Sequence, residues 1–316
     1  MQEGSRKAIV AALVANAGIA IAKFVGFLIT GAASLLAEAV HSAADTSNQG
    51  LLLLGGSRSR RTATADHPFG YGRERYFWAF VVALVLFSLG GLFAIYEGIE
   101  KLRHPHEVES LGVAVGILVV AICLETFSLR TAVKEANHVR GDRSWWTFIR
   151  RSKSPELPVV LLEDVGAEVG LFLALAGVLT ARITGEPRWD AAGSLGIGIL
   201  LVVIAVVLVI EMKSLLIGES ASPADENAIR AAVEATPEVR RLIHMRTQHL
   251  GPDELLVAAK LELDPDLSFA EVAAAVNATE ARLRAAVPAA RVVYLEPDIA
   301  RPARPEPTPE PAPTST

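Results

Sequence analysis

The alternation of apolar and polar positions divides the chain into a long apolar part, a mixed part and a polar tail. Predominantly apolar runs cover approximately residues 8–29, 33–56, 76–99, 110–133, 157–181 and 190–213. A bilayer core of about 30 Å needs roughly 20 residues of helix, so each run predicts a transmembrane helix. The first run is longer than the apolar region of a leader peptide and no A-x-A site follows it, so it too reads as a span. After Gly218 the pattern changes. A helix is predicted over 223–235, β-rich runs over 242–250 and 254–263 across the turn Gly251-Pro252-Asp253, a helix over 268–286 and a strand over 290–296. Ser268 and Glu271 have capping-box spacing, and Ala273, Val276, Leu283 and Val287 supply an apolar stripe for a three-stranded sheet. From Arg301 the chain reads RPARPEPTPEPAPTST, which has too little apolar surface to bury and predicts a disordered tail.

The expected fold is therefore an α-helical membrane protein with six transmembrane helices plus a C-terminal α+β domain of order αββαβ, ferredoxin-like and cytoplasmic. Its boundaries fall at 1–217 for the membrane domain, 218–299 for the soluble domain and 300–316 for the tail. Composition agrees: 51% of residues are hydrophobic but only 6% aromatic, an aliphatic excess that a soluble core does not need. Charge sets the orientation. The loop 57–75 carries five Lys/Arg and 134–156 carries six, whereas 30–32 has none and 100–109 and 182–189 have two each, which places both termini in the cytoplasm. A multi-pass protein of a bacterial inner or plasma membrane is expected. The net charge of −5 provides no basic footprint, so nucleic acid is set aside as a partner. The single cysteine, Cys123, excludes an internal disulfide and a CxxC metal site, and reads as a buried thiol.

Chemistry enters with the ionisable residues inside the spans, each of which costs at least about 2.5 kcal/mol on insertion scales and so marks a functional-site candidate. In the second span Glu38, His41 and Asp45 stand at i, i+3 and i+7, and Asn48 follows on the same face. In the fifth span Asp164 and Glu168 share a face at i, i+4 beside Glu163. Lys23 and Arg130 are the basic residues within reach, and both are long enough to snorkel; Glu38 lies close enough to the outer interface to be solvated. Carboxylates with one imidazole suit Zn²⁺ and also accept Mn²⁺, Fe²⁺ or Co²⁺. The competing reading is that helix–helix hydrogen bonds alone satisfy these groups.

The six spans, SLLAEAVHSAAD in the second, HPFGYGRERYFW entering the third and an acidic αββαβ domain ending YLEPD together resemble the cation diffusion facilitator family of metal-ion/proton antiporters. The similarity covers about residues 6–299, and its most specific element is His41-x-x-x-Asp45. LLEDVGAEVG is similar to a subgroup related to the mitochondrial zinc transporter of animals, in which a Glu-Asp pair replaces the fifth-span histidine motif; Val160 stands where that histidine would be. The resemblance implies a metal site of His41, Asp45 and Asp164; helix geometry sets Glu168 one turn, about 6 Å, outward of Asp164 on the same face as the favoured fourth group, with water the alternative there, and Glu163, Asn48 and Glu125 as positioning or entry residues. It further implies a homodimer, divalent metal and protons as substrates, zinc foremost, and no resident cofactor, the metal being cargo. Auxiliary sites look reduced. His67 keeps Asp66 but faces Tyr71 in sequence, and His244 lacks partners because Lys260 and Tyr294 occupy positions that hold histidine in the family. His249, His104, His106 and His138 read as surface residues. No nucleophile–base constellation or nucleotide loop suggests an enzyme. A metal receptor or scaffold with a degraded site is the main rival, and a passive channel is disfavoured by the aliphatic runs flanking the polar band.

Overall fold

A computed structural model describes residues 3–105 and 110–299, with side chains from residue 17 onward. The predicted tail and His106 lie outside the described residues. The chain divides into two compact units, one made of long helices and one containing a small sheet.

The first unit contains α1 (Glu3–Thr30), α2 (Ala33–Arg58), α3 (Glu74–Val85), α4 (Phe93–Arg103), α5 (Leu111–Arg140), α6 (Trp145–Arg151), α7 (Glu156–Thr184) and α8 (Arg188–Ile217). Among the described residues, three stretches are long and apolar enough to cross a membrane: Glu74–Arg103, Leu111–Arg140 and Arg188–Ile217. The expected count of six is not reached on that measure. In α1 the described apolar part, Ala17–Thr30, is shorter, and α2 and α7, though 26 and 29 residues long, intersperse polar and acidic residues among the apolar ones. The third apolar run is not one regular helix. A π-helical segment, Leu86–Leu92, joins α3 to α4 and holds Gly90-Gly91, a feature with no periodic signature in sequence and one frequent at functional sites. The short α6, capped by Ser144 accepting from the Thr147 amide, lies in what reads as a basic loop.

Small residues let the helices approach. Ala33, Ala37 and Ala44 of α2 and Gly166, Ala167, Gly170 and Ala174 of α7 are buried in the bundle, and α2 packs on α1, α3, α7 and α8. A Cβ at Gly91 would lie 2.7 Å from Val202 of α8, and one at Gly198 would lie 2.9 Å from the Gly91 carbonyl. The π segment and α8 therefore touch backbone to backbone. The α1–α2 turn passes through Gly31 at φ +66°, where a side chain would be strained. No side chain of the turn itself caps α2; instead Asp190 of α8 accepts from the Ala33 amide (2.8 Å), the Ser34 amide (3.4 Å) and the Ser34 hydroxyl. Lys101 of α4 donates to the Gly31 carbonyl at 2.6 Å. An anion at the start of α2 and a cation at the end of α1 match both helix dipoles.

The second unit contains α9 (Pro223–Glu234), β1 (Val239–Gly251), β2 (Glu254–Leu263), α10 (Phe269–Ala286) and β3 (Val292–Asp298), in the predicted αββαβ order. The sheet runs β1-β2-β3, with β2 and β3 parallel in register from Leu256 opposite Val292 to Glu262 opposite Asp298. Burial alternates along β2, placing Leu255, Val257, Leu261 and Leu263 in a core with Ile229, Val233, Leu283 and Val293. The capping box at Ser268 and Glu271 is formed. The apolar stripe of α10 faces the core as expected at Val276, Leu283 and Val287, whereas Ala273 is exposed and Ala275 and Thr279 are buried beside the stripe. Alanine carries too little apolar area to decide a helix's rotation, and Thr279 hides its hydroxyl by donating to the Ala275 carbonyl at 2.8 Å.

Candidate metal centre

Helix α2 brings His41 and Asp45 together because residues four apart share a helix face. His41 is fully buried, and its Nδ1 lies 3.5 Å from Asp45 Oδ1, whose side chain is 15% exposed. That distance is too long for a good hydrogen bond. Both ring nitrogens of His41 and Oδ1 of Asp45 are buried without a hydrogen-bond partner. Unsatisfied polar atoms inside a bundle cost of order 1–3 kcal/mol each, so these atoms need a further partner, an ion or a water. The π segment comes close to the same point: a Cβ at Gly90 would lie 3.8 Å from His41 Nδ1.

Helix α7 presents its acidic residues in two directions. Asp164 and Glu168 share a face, as expected, and that face turns toward α5: Asp164 accepts from Ser128 at 3.1 Å and Glu168 from Thr126 at 2.7 Å. Glu168 Oε2 remains buried without a partner. Glu163, almost fully buried, faces α2 instead and accepts from Asn48 Nδ2 at 2.6 Å. The α2–α7 polar link thus runs through Glu163 and Asn48, a pairing legible in sequence only as the i, i+7 relation of Asn48 to His41. The carboxylates of Glu163, Glu125 and Asp164 all bear electrostatically on Asp45. Among the described residues, no group of three or more His, Cys, Asp or Glu side chains converges closely enough to hold a metal ion. His41 and Asp45 form a close pair, whereas Asp164 and Glu168 are tied to α5 by hydroxyl donors.

Of the two basic residues read as able to snorkel, Lys23 does not behave so. Lys23 is fully buried and pairs with Glu38 at 3.1 Å while donating to Ser42 at 2.7 Å. Glu38 is equally buried, not solvated as expected. Arg130 is exposed. Cys123 is also exposed on α5, because an apolar span gives no periodic clue to which side faces outward.

The remaining histidines sort simply. His67 is exposed and stacks on Tyr71 with ring centroids 4.6 Å apart. His244 is exposed and accepts from Arg246 at 3.2 Å. Lys260 pairs with Glu296 and Asp298, each at 3.0 Å, across the β2–β3 register, and those carboxylates hold its ammonium pKa above the ordinary lysine value. His104 and His138 are exposed, bonded to Glu100 and to the Lys134 carbonyl. His249 departs from the expectation of a surface residue: it is buried, 3.3 Å from the Gly251 carbonyl.

Comparison with known proteins supplies the frame for this geometry. Residues 9–217 match the cation efflux transmembrane domain, and residues 221–298 match the cytoplasmic domain of cation efflux proteins. The chain belongs to the cation efflux family. It is 32% identical over 264 residues to the mouse (Mus musculus) protein named proton-coupled zinc antiporter SLC30A9, mitochondrial, a match covering 83% of this chain and 47% of that one. The human (Homo sapiens) protein of the same name is 33% identical, with 83% and 46% covered. Metal tolerance protein C4 of Arabidopsis thaliana is 29% identical, covering 82% of this chain and 57% of its own. The chain spans about half the length of the mammalian relatives. The boundary between the two matched domains falls where the hydropathy pattern changes, at Gly218.

Proposed function

We propose that the chain is a secondary transporter that moves a divalent transition metal, foremost Zn²⁺, out of the cytoplasm in exchange for protons. The observation that carries this is the pairing on α2 of fully buried His41 with part-buried Asp45, in which both ring nitrogens and Asp45 Oδ1 lack a hydrogen-bond partner. The relatives named as zinc antiporters support the cargo and the coupling. In this reading α1, α2, the α3–α4 rod, α5, α7 and α8 are the six spans, with both termini cytoplasmic, and the C-terminal domain mediates a homodimer.

His41 and Asp45 hold the metal from α2. Asp164 and Glu168 complete its shell from α7, exchanging their Ser128 and Thr126 donors for the cation as α7 and α2 close on it. Coordination requires deprotonated nitrogen and oxygen, so metal and protons compete for the same lone pairs and each drives the other off. Alternating access then exposes the site first to the cytoplasm and afterwards to the opposite face, where protons release the metal.

A metal receptor that does not transport is the second reading, favoured by Val160 at the place of a family histidine and by the lack of a converged ligand group among the described residues. Proteoliposomes distinguish the two. With a pH gradient, the transporter accumulates Zn²⁺ and moves protons the other way; binding without gradient-driven uptake establishes the receptor instead.

A further inference from the structure

We propose that Lys23 and Glu38 form the gate that closes the metal centre on the side of the α1–α2 turn. The inference rests on the transport reading above and adds two residues to its cycle. Lys23 of α1 reaches across to Glu38 Oε2 and Ser42 Oγ of α2, and Lys23 and Glu38 are both fully excluded from solvent. The other carboxylate oxygen, Glu38 Oε1, has no hydrogen-bond partner and is seated against α7, where a Cβ at Gly170 would come within 2.5 Å of it. Three helices therefore meet at one sealed point. Glu38 precedes His41 by three residues, about 4.5 Å along the helix axis. Beyond His41 in the opposite direction, Asp45 is 15% exposed. On the α1–α2 turn side of His41 the packing is closed by Lys23 and Glu38, both fully buried, whereas Asp45, one turn farther along α2, keeps partial exposure.

The chemistry of the seal suits a gate better than a fastener. Replacing a buried ion pair with apolar side chains is often neutral or stabilising, so a pair of this kind is a poor way to hold helices together. What an ion pair offers, and an apolar plug does not, is a response to charge. Lys23 lies within electrostatic range of His41, Asp45 and Glu125. A dication arriving at His41 and Asp45 repels the Lys23 ammonium and attracts the Glu38 carboxylate. Both effects pull the pair apart, and the unpartnered Oε1 stands ready to accept the cation.

Thiol access tests the gate without measuring transport. In a Cys123→Ser background, Asp45→Cys serves as reporter in proteoliposomes treated with a membrane-impermeant maleimide on one face or the other. Thr62→Cys in the exposed 57–75 loop identifies the faces. With the pair intact, the reporter is expected to react only from the Thr62 face. Lys23→Ala/Glu38→Ala, which leaves no unpaired buried charge, should raise labelling from the opposite face by about tenfold or more. Gly170→Ala, which displaces Glu38 from its seat without removing a charge, should raise it too, and Lys23→Arg should keep it one-sided. Equal labelling from both faces with the pair intact, or no rise in either the double-alanine or the Gly170→Ala protein, overturns the proposal. Failure of the unmodified chain to take up Zn²⁺ overturns the transport reading instead and leaves these access results standing.

Discussion

His41 and Asp45 are the residues on which the functional reading turns. Asp45→Ala removes a formal charge from a place that must neutralise a dication in a poorly screening interior, so uptake should fall to background while the protein still elutes as folded. His41→Ala should weaken uptake and change its pH dependence, since one proton-binding ligand is lost. Normal uptake by Asp45→Ala sinks the α2 site. On α7 two hypotheses now differ by a rotation. Helical spacing groups Asp164 with Glu168, yet Glu163 is the residue bonded to α2 through Asn48. If Asp164 and Glu168 turn inward to bind metal, Asp164→Asn and Glu168→Gln should each cost more affinity than Glu163→Gln in a vesicle competition assay. The reverse order makes Glu163 the ligand and the other two a link to α5. Val160→His should shift preference toward Zn²⁺ over Mn²⁺, because imidazole suits zinc better.

At the scale of elements, the position of α2 depends on a cap supplied from elsewhere. Asp190 satisfies the first amides of α2 from 157 residues away in sequence. Asp190→Ala leaves buried N–H groups unpaired and should lower stability by about 1–3 kcal/mol, read as a lower melting temperature in detergent, whereas Asp190→Asn keeps an acceptor and should cost less. The capping box of α10 makes a prediction about pH. Hydrogen bonds from the Ser268 hydroxyl and amide hold the Glu271 carboxyl below the ordinary glutamate range. A depressed folded pKa contributes stability that is complete above the unfolded value, near about 4.3 for glutamate, and is lost as pH falls through the folded one. Glu271→Gln should therefore be less stable than the parent in urea at pH 7, with the gap narrowing by pH 3. A gap independent of pH means the carboxylate charge contributes nothing to the cap.

For the molecule as a whole, the C-terminal unit has its own apolar core, built around Ile229, Val257, Leu261 and Leu283. Residues 218–299 expressed alone should fold without metal. Lys260, at a position where the family resemblance implies a histidine, is positively charged and already paired with Glu296 and Asp298. Excess Zn²⁺ should leave the melting temperature nearly unchanged, whereas binding at 100 times Kd would add about 2.7 kcal/mol. A large zinc-dependent rise shows that His244 has found other partners.

Much of this architecture was legible in the sequence because it is written in local period and run length. The apolar runs located the long helices, the change at Gly218 located the second unit, and the spacing of His41 and Asp45 located their contact, since a helix fixes i, i+4 neighbours without reference to anything else. Ser268 and Glu271 announced their cap for the same reason. Tertiary structure alone decided what depends on how one helix is turned against another. A span that is apolar on every side carries no signal for its rotation, so Cys123 proved exposed and Asp164 and Glu168 proved to face α5. Burial of Lys23 required its partner on a different helix, and only close packing of α1, α2 and α7 at Gly170 brought that partner to it. The sequence by itself determined which polar groups lie within the long apolar helices; the fold determined which of them are paired and which lack a partner, because pairing across helices is a property of distance in space and local periodicity does not encode it.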